Sequence, residues 1–218
     1  MIRNQRGFTL AEMLTAMVVM AIISLATLSL TMALTTAQEY SEDFHRNVQI
    51  ARNSLRRIER DINRAKLITA GNSDVMVYWL EDSNDNGDIE LRELRMIARD
   101  PSTGKVWLHY AEFPDFWPQV WKDQWDNDMT VQIATRLNDA ATWIKNVQWA
   151  KADELASEVS SMSFSALSAP PMCELVQIEV TVGEGPGMVK LRTTASMRAH
   201  KISDLYMDSG VYYLTPPE

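Results

Sequence analysis

The stretch Arg6-Gly7-Phe8-Thr9-Leu10-Ala11-Glu12-Met13 opens onto residues 13–34, a run of 22 without a charge. A helix that crosses a bilayer needs about 20 predominantly apolar residues, so this run is long enough. Its polar members are Ser and Thr, whose hydroxyls can bond back to the helix. Neither Gly nor Pro occurs between Phe8 and Ala70. Arg3 and Arg6 flank the near end; Glu39, Glu42 and Asp43 flank the far end. That asymmetry places the N-terminus in the cytoplasm and the rest of the chain outside. Against this background Glu12 is out of place. A carboxylate inside a membrane costs on the order of 3 kcal/mol, so such an acid is a functional candidate that needs a partner.

Beyond the apolar run the periodicity continues and the composition changes. Tyr40, Phe44, Val48, Ala51, Leu55, Ile58, Ile62 and Ala65 recur in steps of three and four, the stripe of one helix face. Arg46, Arg52, Arg56, Arg57, Glu59, Arg60 and Asp61 fall between them as the wet face. Gly71-Asn72 supplies a stop. The pattern predicts one helix over residues 8–68, apolar all round in its first half and amphipathic in its second. Two simpler readings compete, a plain membrane anchor and a secretory signal peptide cut after Thr35-Thr36-Ala37. The second has the wrong proportions, since a signal peptide's apolar core is usually about 7–15 residues.

A short basic leader, Gly7, Phe8-Thr9-Leu10-Ala11-Glu12 and a long apolar helix together resemble the N-terminus of the type IV pilin family, which includes the pseudopilins of type II secretion. The resemblance is strong over about the first 35 residues. It implies that a prepilin peptidase cuts between Gly7 and Phe8 and that the new Phe8 amine is N-methylated. It further implies that the subunits leave the inner membrane to stack into a filament cored by these helices. In that setting Glu12 would be sealed among apolar helices, where a buried carboxylate needs a cation. The family supplies it as the Phe8 ammonium of a neighbouring subunit, a pair that sets register. A looser resemblance, of length and layout around residues 56–65 and the two late strands, is to minor subunits of the J-type pseudopilin or W-type minor pilin kind.

The expected fold is α+β and pilin-like: the long N-terminal helix, membrane half plus amphipathic half, packed on an antiparallel β-sheet. The expected divisions are a leader at 1–7, the membrane half at 8–35, the amphipathic half at 36–70, a β-rich soluble domain at 71–202 and a loose tail at 203–218. Strands are expected over 75–80, 89–98, 106–113 and 162–167. A hairpin is expected in which Val176, Ile178, Val180 and Val182 alternate with polar residues, as do Val189, Leu191, Thr193, Ala195 and Met197. Gly183-Glu184-Gly185-Pro186-Gly187 joins them. Residues 152–158 and 134–147 read as short helices.

Two features of the soluble part carry candidate chemistry. In residues 82–93, Asp82, Asn84, Asn86 and Asp88 fall at alternate places, with Gly87 at the turn and Glu93 at the end, the spacing of a calcium loop. The flanks read as strands, however, and Asn-Gly is a strong hairpin turn, so a plain acidic turn stands beside the calcium site as a reading. Trp117, Trp121 and Trp125 are four apart, with Phe113 one step earlier. They serve as packing, as an aromatic patch for a neighbouring subunit or, third, as a carbohydrate-binding surface.

The net charge of −8 disfavours nucleic acid as a partner. The lone Cys173 allows no intrachain disulfide and is expected to pack as a small apolar residue. His45, His109 and His200 have no metal-ligand spacing, and nucleophile elbow, phosphate loop and dinucleotide fingerprint are absent. The chain therefore reads as an inner-membrane structural subunit and peptidase substrate, without catalysis and with calcium as the one candidate cofactor. Its expected partners are prepilin peptidase and other pilin subunits. The alternative is an anchored extracytoplasmic binding protein that does not polymerise.

Overall fold

The computed structural model describes residues 9–71, 73–83, 88–126, 144, 149–168, 170, 172–197, 205–208 and 211–214. Helix α1 runs over Leu10–Arg64. The chain divides into two units, Met1–His45 and Arg46–Glu218.

In the first unit the described residues are helical from Leu10, and large apolar side chains stand exposed on every side of the helix, among them Met13, Val18, Ile22, Leu25 and Leu34. Thr15, Thr27, Thr31, Thr35 and Thr36 each donate their hydroxyl to a carbonyl one turn back, so these polar groups need no external partner.

The second unit is built around the amphipathic part of α1. Ala51, Leu55, Ile58 and Ile62 are buried there, as the three-four spacing requires. Five antiparallel strands follow in sequence order: β1 (Leu67–Gly71), β2 (Val75–Trp79), β3 (Leu94–Asp100), β4 (Lys105–Ala111) and β5 (Ala150–Ala156). A second sheet holds β6 (Val159–Ala166), β7 (Leu175–Val182) and β8 (Val189–Ser196), also antiparallel. A short helix, α2 (Gln119–Trp125), lies between β4 and β5 in sequence. Strands β9 (Leu205–Asp208) and β10 (Val211–Leu214) pair antiparallel.

Alternation along the strands explains the two cores. Met76, Tyr78, Ile97 and Val106 join the helix stripe, and Val176, Ile178, Val180 and Val182 of β7 complete that core. Val77, Trp79, Leu94, Met96 and Ala98 point the other way, into a second cluster with Ile89, Leu91 and Ile144. Both faces of the five-stranded sheet are thus covered, which is why β2 reads as an unbroken apolar run. Cys173 is fully buried in the first core, its thiol donating to the Leu175 carbonyl at 3.1 Å. Burial raises its pKa, as expected for a packing thiol.

The structure corrects several boundaries. The helix stops at Arg64 rather than 68, because residues 67 and 68 pair with Trp79 and Tyr78 as the first strand. Residues 152–156, expected as helix, lie in β5, where Leu108, His109 and Tyr110 pair with Asp153, Ala152 and Lys151. A 3-10 turn, Leu91–Glu93, interrupts the strand expected at 89–98. The expected loose tail contains the β9–β10 pair, with Tyr206 opposite Tyr213, aromatic residues suited to strands. Tyr40 and Phe44, placed on the covering stripe, are exposed. The helix expected at 134–147 lies outside the described residues save for Ile144.

Candidate functional site

Helix α1 begins with a reciprocal cap. Thr9 donates its backbone N–H and its hydroxyl to Glu12 Oε2, both at 2.9 Å, and the Glu12 N–H donates back to the Thr9 hydroxyl at 3.3 Å. This is a capping box, which satisfies donors that a helix start leaves open. The Thr-x-x-Glu spacing ahead of an apolar run is its sequence signal. Glu12 therefore has a local task besides any partner it meets. Its carboxylate is directed at the first turn of the helix. The segment before it, with Arg3, Arg6, Gly7 and Phe8, lies outside the described residues.

By length and composition α1 can cross a membrane. Its large apolar residues from Leu10 to Leu34 stand exposed. The family described as "Prokaryotic N-terminal methylation motif" matches residues 2–28. The match spans the leader residues Arg3 and Arg6, the Gly7–Phe8 link and Glu12 together. It supports a type IV pilin-like precursor, and with it processing by prepilin peptidase and assembly with other pilin subunits. The motif and the long apolar helix fit a membrane-anchored, single-pass protein. The α+β arrangement, a long N-terminal helix on an antiparallel sheet, is pilin-like. No curated protein matches the chain.

Of the acidic-turn residues, Asp82, Asp88 and Glu93 are described, whereas Asn84 and Asn86 lie outside the described residues. Glu93 is buried and faces inward. Its carboxylate accepts from Trp79 Nε1 at 3.0 Å and from the Ser83 hydroxyl at 2.9 Å. It also accepts from the Ser83 backbone N–H. It thus clasps the start of the turn to the second core. Among the described residues no group of three or more His, Cys, Asp or Glu is placed to hold a metal ion.

Arg92, the neighbour of Glu93, joins this turn to α2. Its Nη2 lies 2.7 Å from Glu90 Oε2 and its Nε lies 2.8 Å from Asp126 Oδ2. Its backbone N–H donates to Asp126 Oδ1 at 3.0 Å. Burial pushes the Asp126 carboxyl up to about 7, against the lowering effect of the Arg92 backbone bond.

The tryptophans divide. Trp117 precedes α2 and is half-buried, 5.1 Å from the ring of Trp149 and stacked on Phe113 at 6.2 Å. Trp121 touches Trp117 edge-on at 6.1 Å yet is 54% exposed, next to the exposed Val120. Trp125 closes α2; its side chain lies outside the described residues. Sequence spacing found Phe113 and the three tryptophans as one group but missed Trp149, which the chain brings in from another segment.

Proposed function

We propose that the chain is a minor subunit of a type IV pilus or of a type II secretion pseudopilus, made as a precursor, cut between Gly7 and Phe8 and N-methylated on Phe8. The observation that carries this is the methylation motif at residues 2–28, which leads into a helix whose large apolar side chains over residues 10–34 stand exposed. The orientation follows from the basic leader, which stays cytoplasmic while the β-rich part is translocated. Outside the membrane, lateral packing of such helices replaces lipid as the cover for residues 10–34. Glu12 is then enclosed with them, and its carboxylate recruits the Phe8 ammonium of a neighbour while its other interactions hold the first turn. A pair of this kind fixes axial register, because any other offset leaves a charge buried alone. The exposed Trp121 and Val120 supply a contact for an adjacent subunit, with Trp117 as the packed base beneath.

Mass spectrometry of the mature N-terminus tests the reading directly. A chain beginning at methylated Phe8 supports it; an intact Met1 or a start at Gln38 overturns it. Glu12→Ala and Glu12→Leu should both be cut after Gly7 and both assemble poorly. Glu12→Gln keeps the amide oxygen for the Thr9 cap but not the charge, so it separates the two tasks. Poor assembly of this variant assigns the loss to charge.

A further inference from the structure

The second unit carries eight charged residues on α1, six of them arginines, and the arginines fall into two groups. Arg46 pairs with Glu158, and Arg57 Nη1 donates to the carbonyl of Leu155 at 3.0 Å. Arg52, Arg56, Arg60 and Arg64 do neither. All four are exposed, they are spaced four apart, and among the described residues none has a carboxylate within ion-pair distance. The half-buried Asp61 feels Arg60 and Arg64 at longer range. Like charges at this spacing face one another on a helix and repel. The chain as a whole is acidic, at −8, yet it keeps a basic ridge here that, among the described residues, forms no ion pair.

The same helix carries the complement. Glu39, Glu42 and Asp43 are exposed, with no Lys or Arg over residues 36–45. Gln38 donates to Glu42 at 2.9 Å; Glu39 and Asp43 are four apart, the spacing of the arginines. An acidic block followed by a basic block on one helix is self-complementary when two copies lie parallel and axially offset. An offset of 13, 17 or 21 residues brings Glu39 and Asp43 of one copy onto two successive arginines of the other. At the helical rise these offsets are about 20, 26 or 32 Å. Anchoring in one membrane orientation makes parallel the available arrangement; this step rests on the pilin-like reading above.

We propose that Arg52, Arg56, Arg60 and Arg64 form a docking ridge for the Glu39–Asp43 acidic block of a second copy of this chain. Opposite charge steers the encounter and sets the offset, while the apolar run supplies the buried area.

The test uses the full-length chain in membranes, in two differently tagged copies. One carries Asp43→Cys, the other Arg56→Cys, Arg60→Cys or Arg64→Cys, with Ser102→Cys as the control partner. Cys173 is buried and stays in place. The expected result is a disulfide-linked heterodimer with one or more of the arginine positions, about fivefold or more above the Ser102→Cys control, as charge steering predicts. Replacing all four arginines by Glu, with a reporter pair at Ser41→Cys and Asn53→Cys, should reduce cross-linking. Adding Glu39→Arg and Asp43→Arg to that variant should restore it. Yields no higher than the control, or a charge reversal without effect, overturn the proposal. The mature N-terminus is measured in the same samples. A correctly cut and methylated chain that fails to cross-link removes the ridge and leaves the pilin-like reading standing, whereas an uncut chain removes the latter whatever the cross-links show.

Discussion

Residues 10–45 and 46–64 belong to one helix but solve opposite problems. In the first stretch large apolar side chains point in every direction and stand exposed. In the second, burial is confined to Ala51, Ser54, Leu55, Ile58 and Ile62, all turned to one side. The first stretch takes its stability from surroundings, lipid or other helices; the second from its own sheets. Helicity is common to both because both lack Gly and Pro, while hydrophobic pattern alone decides what each requires as a neighbour.

The contrast can be broken most forcefully in the core. Ile58→Ala and Ile62→Ala, both fully buried, should each cost about 2–5 kcal/mol of stability. Val18→Ala and Leu25→Ala should leave the unfolding of the β-rich part within about 0.5 kcal/mol of the parent chain. Denaturant titration of the full chain in detergent, followed by near-ultraviolet circular dichroism, measures both. Equal losses in the two stretches would erase the distinction.

A smaller effect is expected where α1 meets the β7–β8 turn. Asn47 Nδ2 donates to the Gly187 carbonyl at 3.0 Å, and Gly183 sits at a φ of 81° with the Asn47 amide against it. A side chain at Gly183 would strain the backbone and displace that amide. Gly183→Ala should therefore cost about 1–3 kcal/mol by the same titration, and Asn47→Ala about 1 kcal/mol.

Titration gives a subtler probe. Asp126 has an ordinary value of 3.8 when unfolded and about 7 when folded, so the folded chain holds its proton longer. Its contribution is complete below the unfolded value and is lost as pH rises towards about 7. Melting midpoints of the parent chain should carry a downward slope from this group over that window, and Asp126→Asn should flatten it. The least effect belongs to the surface: Arg46→Ala, whose pairing with Glu158 is exposed on both sides, should change stability by under about 1 kcal/mol.

Much of this arrangement was legible in the residues. Steps of three and four along the helix located Ala51, Leu55, Ile58, Ile62 and Ala65 in the core, and strict alternation located the β7–β8 hairpin with its buried valines. What escaped was set by tertiary pairing. Residues 150–156 contain three alanines beside Lys, Asp and Glu, a composition that favours helix, yet hydrogen bonding to β4 makes them a strand. The helix lost its last expected turn because Leu67 and Ile68 gained more as strand partners of β2. At the candidate site, Glu12 stood out for its setting, whereas its Thr9 partner was missed, although the Thr-x-x-Glu spacing signals it. The inward turn of Glu93 was not visible, since nothing in the local sequence ties it to Trp79.

Arg57 adds a last consequence. Strand β5 closes one margin of the five-stranded sheet, and the carbonyls of Glu154 and Leu155 receive the guanidinium of Arg57. A margin occupied in this way offers fewer open acceptors to a stray extended chain. The helix thereby guards the margin of its own sheet against pairing with a second extended chain.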